Sequence, residues 1–191
     1  MRIGDLESSL QEITEAAAHT LDIARVNIWL YDDDRTKICC IDHYDLSSRE
    51  HSSGGELAAV DYPLYFQALD QERTIAANYA HTDPRTAEFA SAYLDTYGIT
   101  SMLDAPVRAR GRAIGIVCHE HIGPARVWTS EEQLFASSLA DLASLALESS
   151  ELRQAEQALH HSELRTRQIL NNALDAIVTI DENSKIIDWN P

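Results

Sequence analysis

Gly98-Ile99-Thr100-Ser101-Met102-Leu103-Asp104-Ala105-Pro106-Val107 opens the stretch whose reading decides the fold. It reads as the start of a strand over 99–109. A tight turn at Arg110-Gly111 sends the chain back along a second strand over 112–121, so the two arms form one long antiparallel hairpin. In the returning arm, Cys118-His119-Glu120-His121 must alternate across the sheet. His119 and His121 share one face, and Cys118 and Glu120 share the other. Just upstream, Asp83 suits a helix cap, Pro84 the first helical position and Gly98 a left-handed stop. A helix over 84–97 would place Phe89, Tyr93 and Tyr97 on one face.

Working outward, residues 5–20 carry apolar positions at Leu6, Leu10, Ile13 and Ala17, continued by Leu21, a narrow stripe on one helix face. Strands are expected over 25–31 and 36–46, joined by a turn at Asp32-Asp33-Asp34. Ser47 to Gly55 reads as a polar loop, 63–69 as a short helix and 74–77 as a brief strand. Thr129-Ser130-Glu131-Glu132 has capping-box spacing, and a long helix starts there and runs to about residue 170. The element order describes an α+β fold, an antiparallel sheet flanked by helices. Beyond it, residues 177–180 and 185–189 read as two short strands about an Asn183-Ser184 turn.

Composition excludes several function classes. The 191 residues carry 45% hydrophobic side chains, enough for one full domain with a core of ordinary size. A net charge of −16 disfavours nucleic acid and anionic membrane surfaces, both of which select basic patches. No apolar run approaches the roughly 18–20 residues that span a bilayer, and the N-terminus has no apolar signal core. Three cysteines, two adjacent, do not make a disulfide framework. A soluble, cytoplasmic protein is expected.

Residues 5–150 resemble a GAF domain. The resemblance is carried by Gly98 to Val107, Gly111, Ile114-Gly115-Ile116-Val117-Cys118-His119-Glu120-His121, and Trp128-Thr129-Ser130-Glu131-Glu132 with Phe135. Asn172-Ala173-Leu174-Asp175-Ala176-Ile177 and the two strands after it resemble the opening hairpin of a PAS domain, ending at Asn190-Pro191. The organisation expected is a GAF-like sensory domain over 1–150, a coiled-coil linker helix over 151–170 and the start of a PAS domain over 171–191. A lone hairpin buries too little surface to be stable, so the chain reads as the front part of a longer modular protein. Tandem GAF–PAS order is similar to the input end of bacterial sensor histidine kinases, with cyclic-di-GMP synthases and hydrolases as the alternative. The resemblance implies a sensory module that binds a small molecule and is not itself an enzyme.

The resemblance also narrows the ligand. Bilin-binding members attach pigment through a cysteine on the helix before Gly98; that position falls near Phe89, which argues against covalent bilin. The Asn-Lys…Phe…Asp-Glu signature of cyclic-nucleotide-binding members is absent. GAF-type free methionine sulfoxide reductases use three cysteines, but Cys39 and Cys40 are neighbours on an early strand and point to opposite faces. A structural dimerisation module with no ligand is the third class.

His119 and His121 are the first pocket candidates, because this strand borders the ligand cavity in the family. No metal site is demanded. Phe89 and Tyr93 would line the same cavity, and His81 and Arg85 could meet an anion at the helix start. His160-His161-Ser162-Glu163-Leu164-Arg165-Thr166-Arg167 is similar to a kinase phosphoacceptor box. Ser162 stands in the histidine place and Arg167 replaces the proline, so it reads as linker helix. Leu145, Leu152 and Leu159 recur every seven residues. With Leu6, Leu10 and Ile13 they are expected to pair N- and C-terminal helices in a parallel homodimer.

Overall fold

The computed structural model describes residues 3–171, 178–183 and 185–189. The chain divides into two units, residues 1–148 and 149–191. In chain order the first unit holds α1 (Ile3–Leu21), β1 (Arg25–Tyr31), β2 (Lys37–Asp45), β3 (Glu50–Ser52), β4 (Glu56–Ala58), α2 (Pro63–Gln71) and β5 (Ile75–Ala77). A helical segment over 87–97 follows, then β6 (Ile99–Ala109) and β7 (Arg112–Ile122). The α4 helix, Ser130–Asn171, begins in this unit and continues into the second. Among the described residues, no helix is long and apolar enough to cross a membrane.

The expected hairpin is the spine of the sheet. Arg110 and Gly111 both take positive φ, 50° and 79°, the backbone twist that a two-residue turn between right-twisted strands requires. The antiparallel sheet runs β3-β2-β1-β7-β6-β5, with β4 also pairing with β2. Arg25 lies opposite Glu120, Asn27 opposite Cys118 and Met102 opposite Glu120, a register that sets every side chain of the site below.

Each face of the sheet carries its own core. On one face, α1 and α4 cover Val26, Ile28, Leu103, Ala105, Val107 and Val117. Leu139 and Leu147 of α4 are among the residues buried there, each contributing about 1.5–3 kcal/mol by leaving water. The α4 start is held as its spacing predicts: Thr129 N–H donates to Glu132 Oε2 at 2.8 Å, and Glu132 N–H to Thr129 Oγ1 at 3.2 Å. On the opposite face, α2 and the 87–97 segment cover Trp29, Ile38, Met102, Ile116 and Cys118.

Three expectations are corrected. Leu10 and Ile13 are buried in the first core and Leu6 packs against it, so the α1 stripe serves its own sheet rather than a partner helix. The 47–55 loop contains β3, whose backbone pairs with the end of β2. The helix expected over 84–97 is instead a turn, a 3-10 turn (Ala87–Phe89), a π-helical turn (Ala90–Leu94) and one α-helical turn (Asp95–Tyr97). The Asp83 carboxylate accepts from Arg85 N–H and from the Arg85 guanidinium, which closes a tight turn over Arg85 in place of capping a regular helix.

In the second unit, β8 (Val178–Ile180) and β9 (Ile186–Trp189) form an antiparallel hairpin. Asp181 accepts from the N–H groups of Asn183 and Lys185 at 2.9 Å and closes it. The Asn172–Ile177 part of the PAS resemblance and Ser184 of the expected turn lie outside the described residues. Leu152 and Leu159 of α4 are each 62% exposed.

Candidate functional site

The second core face is incompletely filled, and the gap is where chemistry concentrates. The aromatic stripe of the 87–97 segment lies over the sheet as a connected series: Phe89 stacks near Tyr62 and Tyr65 (centroids 4.4 and 4.6 Å), Tyr93 near Phe89 (6.1 Å), and Tyr97 near Tyr93 (5.0 Å). The π-helical turn supplies the extra residue that aims Tyr93 at the sheet, a local distortion typical of functional sites. Beneath it lies an inner cavity of about 10 Å³ open to a water-sized sphere, room for one water, walled by Tyr65, Phe89, Met102 and Cys118. Beside it opens a cleft of about 420 Å³ between β1, β2, the Ser52–Glu56 segment and Tyr97. Trp29, Leu57 and Tyr93 line both spaces, so Tyr93 stands in the wall between them.

The sheet floor of this region is polar and buried. Glu120 is 1% exposed. Tyr93 donates its hydroxyl to Glu120 Oε1 at 2.6 Å, and Arg25 Nε lies 3.3 Å from Oε2. Burial pushes the Glu120 carboxyl up, while Arg25 and the hydrogen bonds pull it down. Two residues away on the neighbouring strand, Asp104 is fully buried and accepts from the Tyr65 hydroxyl at 2.7 Å. Burial, with the Glu120 charge nearby, pushes its carboxyl up to about 7 against the pull of Tyr65. Burial also raises the thiols, Cys40 to about 12 and Cys118 well above the ordinary range, so neither has thiolate character. That chemistry disfavours a cysteine-relay reductase.

Of the residues expected at the site, Phe89 and Tyr93 line the inner cavity. His119 and His121 do not. Val117, with which they alternate in phase, lies in the helix-covered core, whereas Cys118 and Glu120 line the cavity. His119 is fully buried and donates its Nδ1–H to Leu103 O at 2.6 Å; burial pushes it down to about 4. His121 lies at the strand end, its Nε2 3.0 Å from Pro124 O. His81 Nε2 sits 3.0 Å from Asp95 Oδ1 near the surface. The Arg85 guanidinium is spent on Asp83, Glu72 and Ala76 O, fastening the 77–87 loop to the end of α2. Neither residue lines the cavity or the cleft. Among the described residues, no group of three or more His, Cys, Asp or Glu side chains is arranged to hold a metal ion.

The residues not singled out as pocket candidates are Arg25, Asn27, His43, Tyr65, Asp104 and Glu120. Their signal was present as alternation: Arg25, Asn27 and Trp29 fall on one face of β1, as Cys118 and Glu120 do on β7. Outside the cleft, a further polar cluster ties α1 to the sheet edge. Thr14 Oγ1 donates to Asp42 Oδ2 at 2.6 Å, and His51 lies 3.0 Å from both Asp42 Oδ1 and Glu15 Oε1.

Comparison with known proteins agrees with this architecture. The family model of the GAF domain matches residues 5–147. The blue-light absorbing form of the PixJ GAF domain from Thermosynechococcus elongatus superposes with a TM-score of 0.68 at 18% identity, over 83% of this chain and 95% of that one. A methyl-accepting chemotaxis protein fragment gives 0.65 at 19% identity, over 78% and 93%. A GAF domain/HD domain protein from Geobacter sulfurreducens gives 0.62 at 15% identity, over 78% and 95%. No curated protein matches the sequence.

Proposed function

The chain belongs to the GAF-domain family, and we propose that it is the cytoplasmic, non-catalytic input module of a bacterial signalling protein, one that binds a small molecule between the sheet and the 87–97 segment. The observation that carries this reading is the 420 Å³ cleft, a volume suited to a small ligand, set against a floor of buried, partly unpartnered polar groups. A folded domain retains such groups where a bound molecule completes their hydrogen bonds. GAF domains serve as regulatory modules, and the two buried thiols beside this core, Cys40 and Cys118, are held protonated by burial.

The ligand acts through its different affinity for two arrangements of the aromatic segment, and the difference is passed to α4. Leu145, Leu152 and Leu159, each 62% exposed, form the seam through which two copies of α4 pair in parallel. The β8–β9 hairpin is read as the start of a PAS domain that receives the helix signal, and a histidine kinase as the output that follows. The test is a native mass spectrum of the purified chain. A dimer with excess mass supports the sensor and reports the ligand class. A dimer at bare mass that takes up no added small molecule identifies a structural dimerisation module, and a monomer at bare mass overturns relay through α4.

A further inference from the structure

Arg25, Asn27 and Glu120 form one buried polar group beside the cleft, in which Arg25 Nε lies 3.3 Å from Glu120 Oε2 and the Asn27 side chain also turns to Glu120. They are 9%, 1% and 1% exposed. Arg25 and Asn27 line the cleft itself. The donors left over at the cleft are those of Arg25. Glu120 already faces the Arg25 guanidinium at 3.3 Å and the Tyr93 hydroxyl at 2.6 Å. Glu56, on the cleft rim, is neutralised by Lys37 at 2.6 Å. Asn27 Oδ1 is taken by His43 Nδ1; a carbonyl oxygen only accepts, so His43 carries the Nδ1 proton and the Asn27 amide N–H₂ is left to Glu120. The Arg25 guanidinium is held flat by the Tyr97 ring, 4.1 Å from its centroid, and meets Glu120 through Nε, which leaves its two terminal nitrogens without a protein acceptor among the described residues. A guanidinium clamped at Nε and on one face, with its terminal N–H groups unused, presents the fork that pairs with a carboxylate.

We propose that the cleft is a binding site for small aromatic carboxylates, with the carboxylate on the terminal nitrogens of Arg25 and the ring against Trp29 and Tyr93. The inference rests on the reading of the chain as a ligand-binding module and gives that ligand a chemical class. The aromatic requirement follows from the walls: Trp29, Tyr93 and Tyr97 supply the apolar surface, and a ring makes edge or offset contact with them. Occupancy would also complete Arg25's hydrogen bonds in competition with Glu120, which is hydrogen-bonded to Tyr93 on the π-helical turn. The carboxylate therefore reaches the element that covers the inner cavity.

The test is calorimetric titration of the whole chain with benzoate and indole-3-acetate, with benzamide, indole-3-acetamide and inorganic phosphate as controls. Both acids should bind, and each amide should bind at least about tenfold more weakly, because it lacks the charge that Arg25 pairs with. Arg25→Gln alone strands the Glu120 carboxylate and risks misfolding, so the paired variant Arg25→Gln/Glu120→Gln is measured beside it. That variant, folded by circular dichroism, should bind acid and amide alike. Acids and amides of equal affinity in the natural chain overturn the proposal. So does binding of phosphate without the acids, which indicates a bare oxyanion site. Absence of acid binding beside excess mass in the native spectrum overturns the carboxylate class and leaves the sensor reading standing. Bare mass together with no binding overturns both.

Discussion

Tyr65 donates its hydroxyl to Asp104 Oδ2 at 2.7 Å with both side chains sealed from solvent, so the floor of the aromatic core holds a carboxyl group whose proton is retained up to about pH 7. Burial is the main cause, the Glu120 charge adds to it, and the Tyr65 hydrogen bond partly opposes it. In the unfolded chain this carboxyl ionises near pH 3.8. Between those values the folded state holds more protons, so the group stabilises the fold fully below about pH 4, and that contribution is lost as pH rises to about 7. Asp104→Asn keeps an acceptor for Tyr65 and removes the titration. Urea unfolding at pH 4.5 and pH 8 should show the variant gaining about 3 kcal/mol at the higher pH relative to the natural chain. Parallel pH profiles for the two proteins would sink the assignment.

His119 should show the opposite slope. Burial holds its imidazole neutral down to about pH 4, against 6.5 when exposed, so the unfolded chain takes up the proton first as pH falls. Its contribution is present above about pH 6.5 and is lost toward pH 4. The windows of His119 and Asp104 overlap, and their slopes oppose one another. His119→Asn retains a donor for Leu103 O. Its stability at pH 4.5 relative to pH 7 should rise by about 2 kcal/mol over the natural chain. An unchanged difference would mean that the ring reaches solvent in the folded state.

Gly115 of β7 lies opposite Leu30 of β1 and leaves no room for a side chain. A Cβ built there would stand 2.4 Å from Trp29 O and 2.5 Å from Leu30 Cδ2, and the backbone oxygen cannot move aside without shifting β1. Gly115→Ala should cost about 2 kcal/mol or more and displace Trp29 at the cleft wall. Thermal melts and the Trp fluorescence maximum report the two effects; a melting temperature within a degree of the natural chain would refute the contact.

Leu152→Arg with Leu159→Arg tests the seam on α4. Both positions are exposed, so the double variant should leave the 1–148 unit folded while converting a dimer to a monomer in light scattering. A variant that stays dimeric at unchanged helicity removes those leucines from the interface.

Much of the fold was legible because it is encoded locally. The Arg110-Gly111 turn, the Thr129–Glu132 capping box and the two long strands are set by backbone preferences over a few residues, and each forms where its residues predict. The 84–97 helix was misread because its outcome is set by Arg85, whose partners include Glu72 and Ala76 on other elements. Tertiary pairing there overrode a local pattern that favours a regular helix. The α1 stripe was misread for a related reason: a narrow apolar face fits a partner helix or the protein's own sheet equally well, and only the sheet's position shows which.

The sequence by itself determined which residues share a face. His119 alternates with Glu120, and Arg25 falls in phase with Asn27 and Trp29, because the strand period is a property of the backbone. Only the tertiary structure decided which face of the sheet meets α1 and α4 and which meets the cleft. A two-residue period is unchanged when the sheet is turned over, so alternation cannot rank the two faces. The order of strands and the helices packed on each side break that symmetry, and they place Arg25 at the cleft and Glu120 at the inner cavity, with His119 and His121 on the other face.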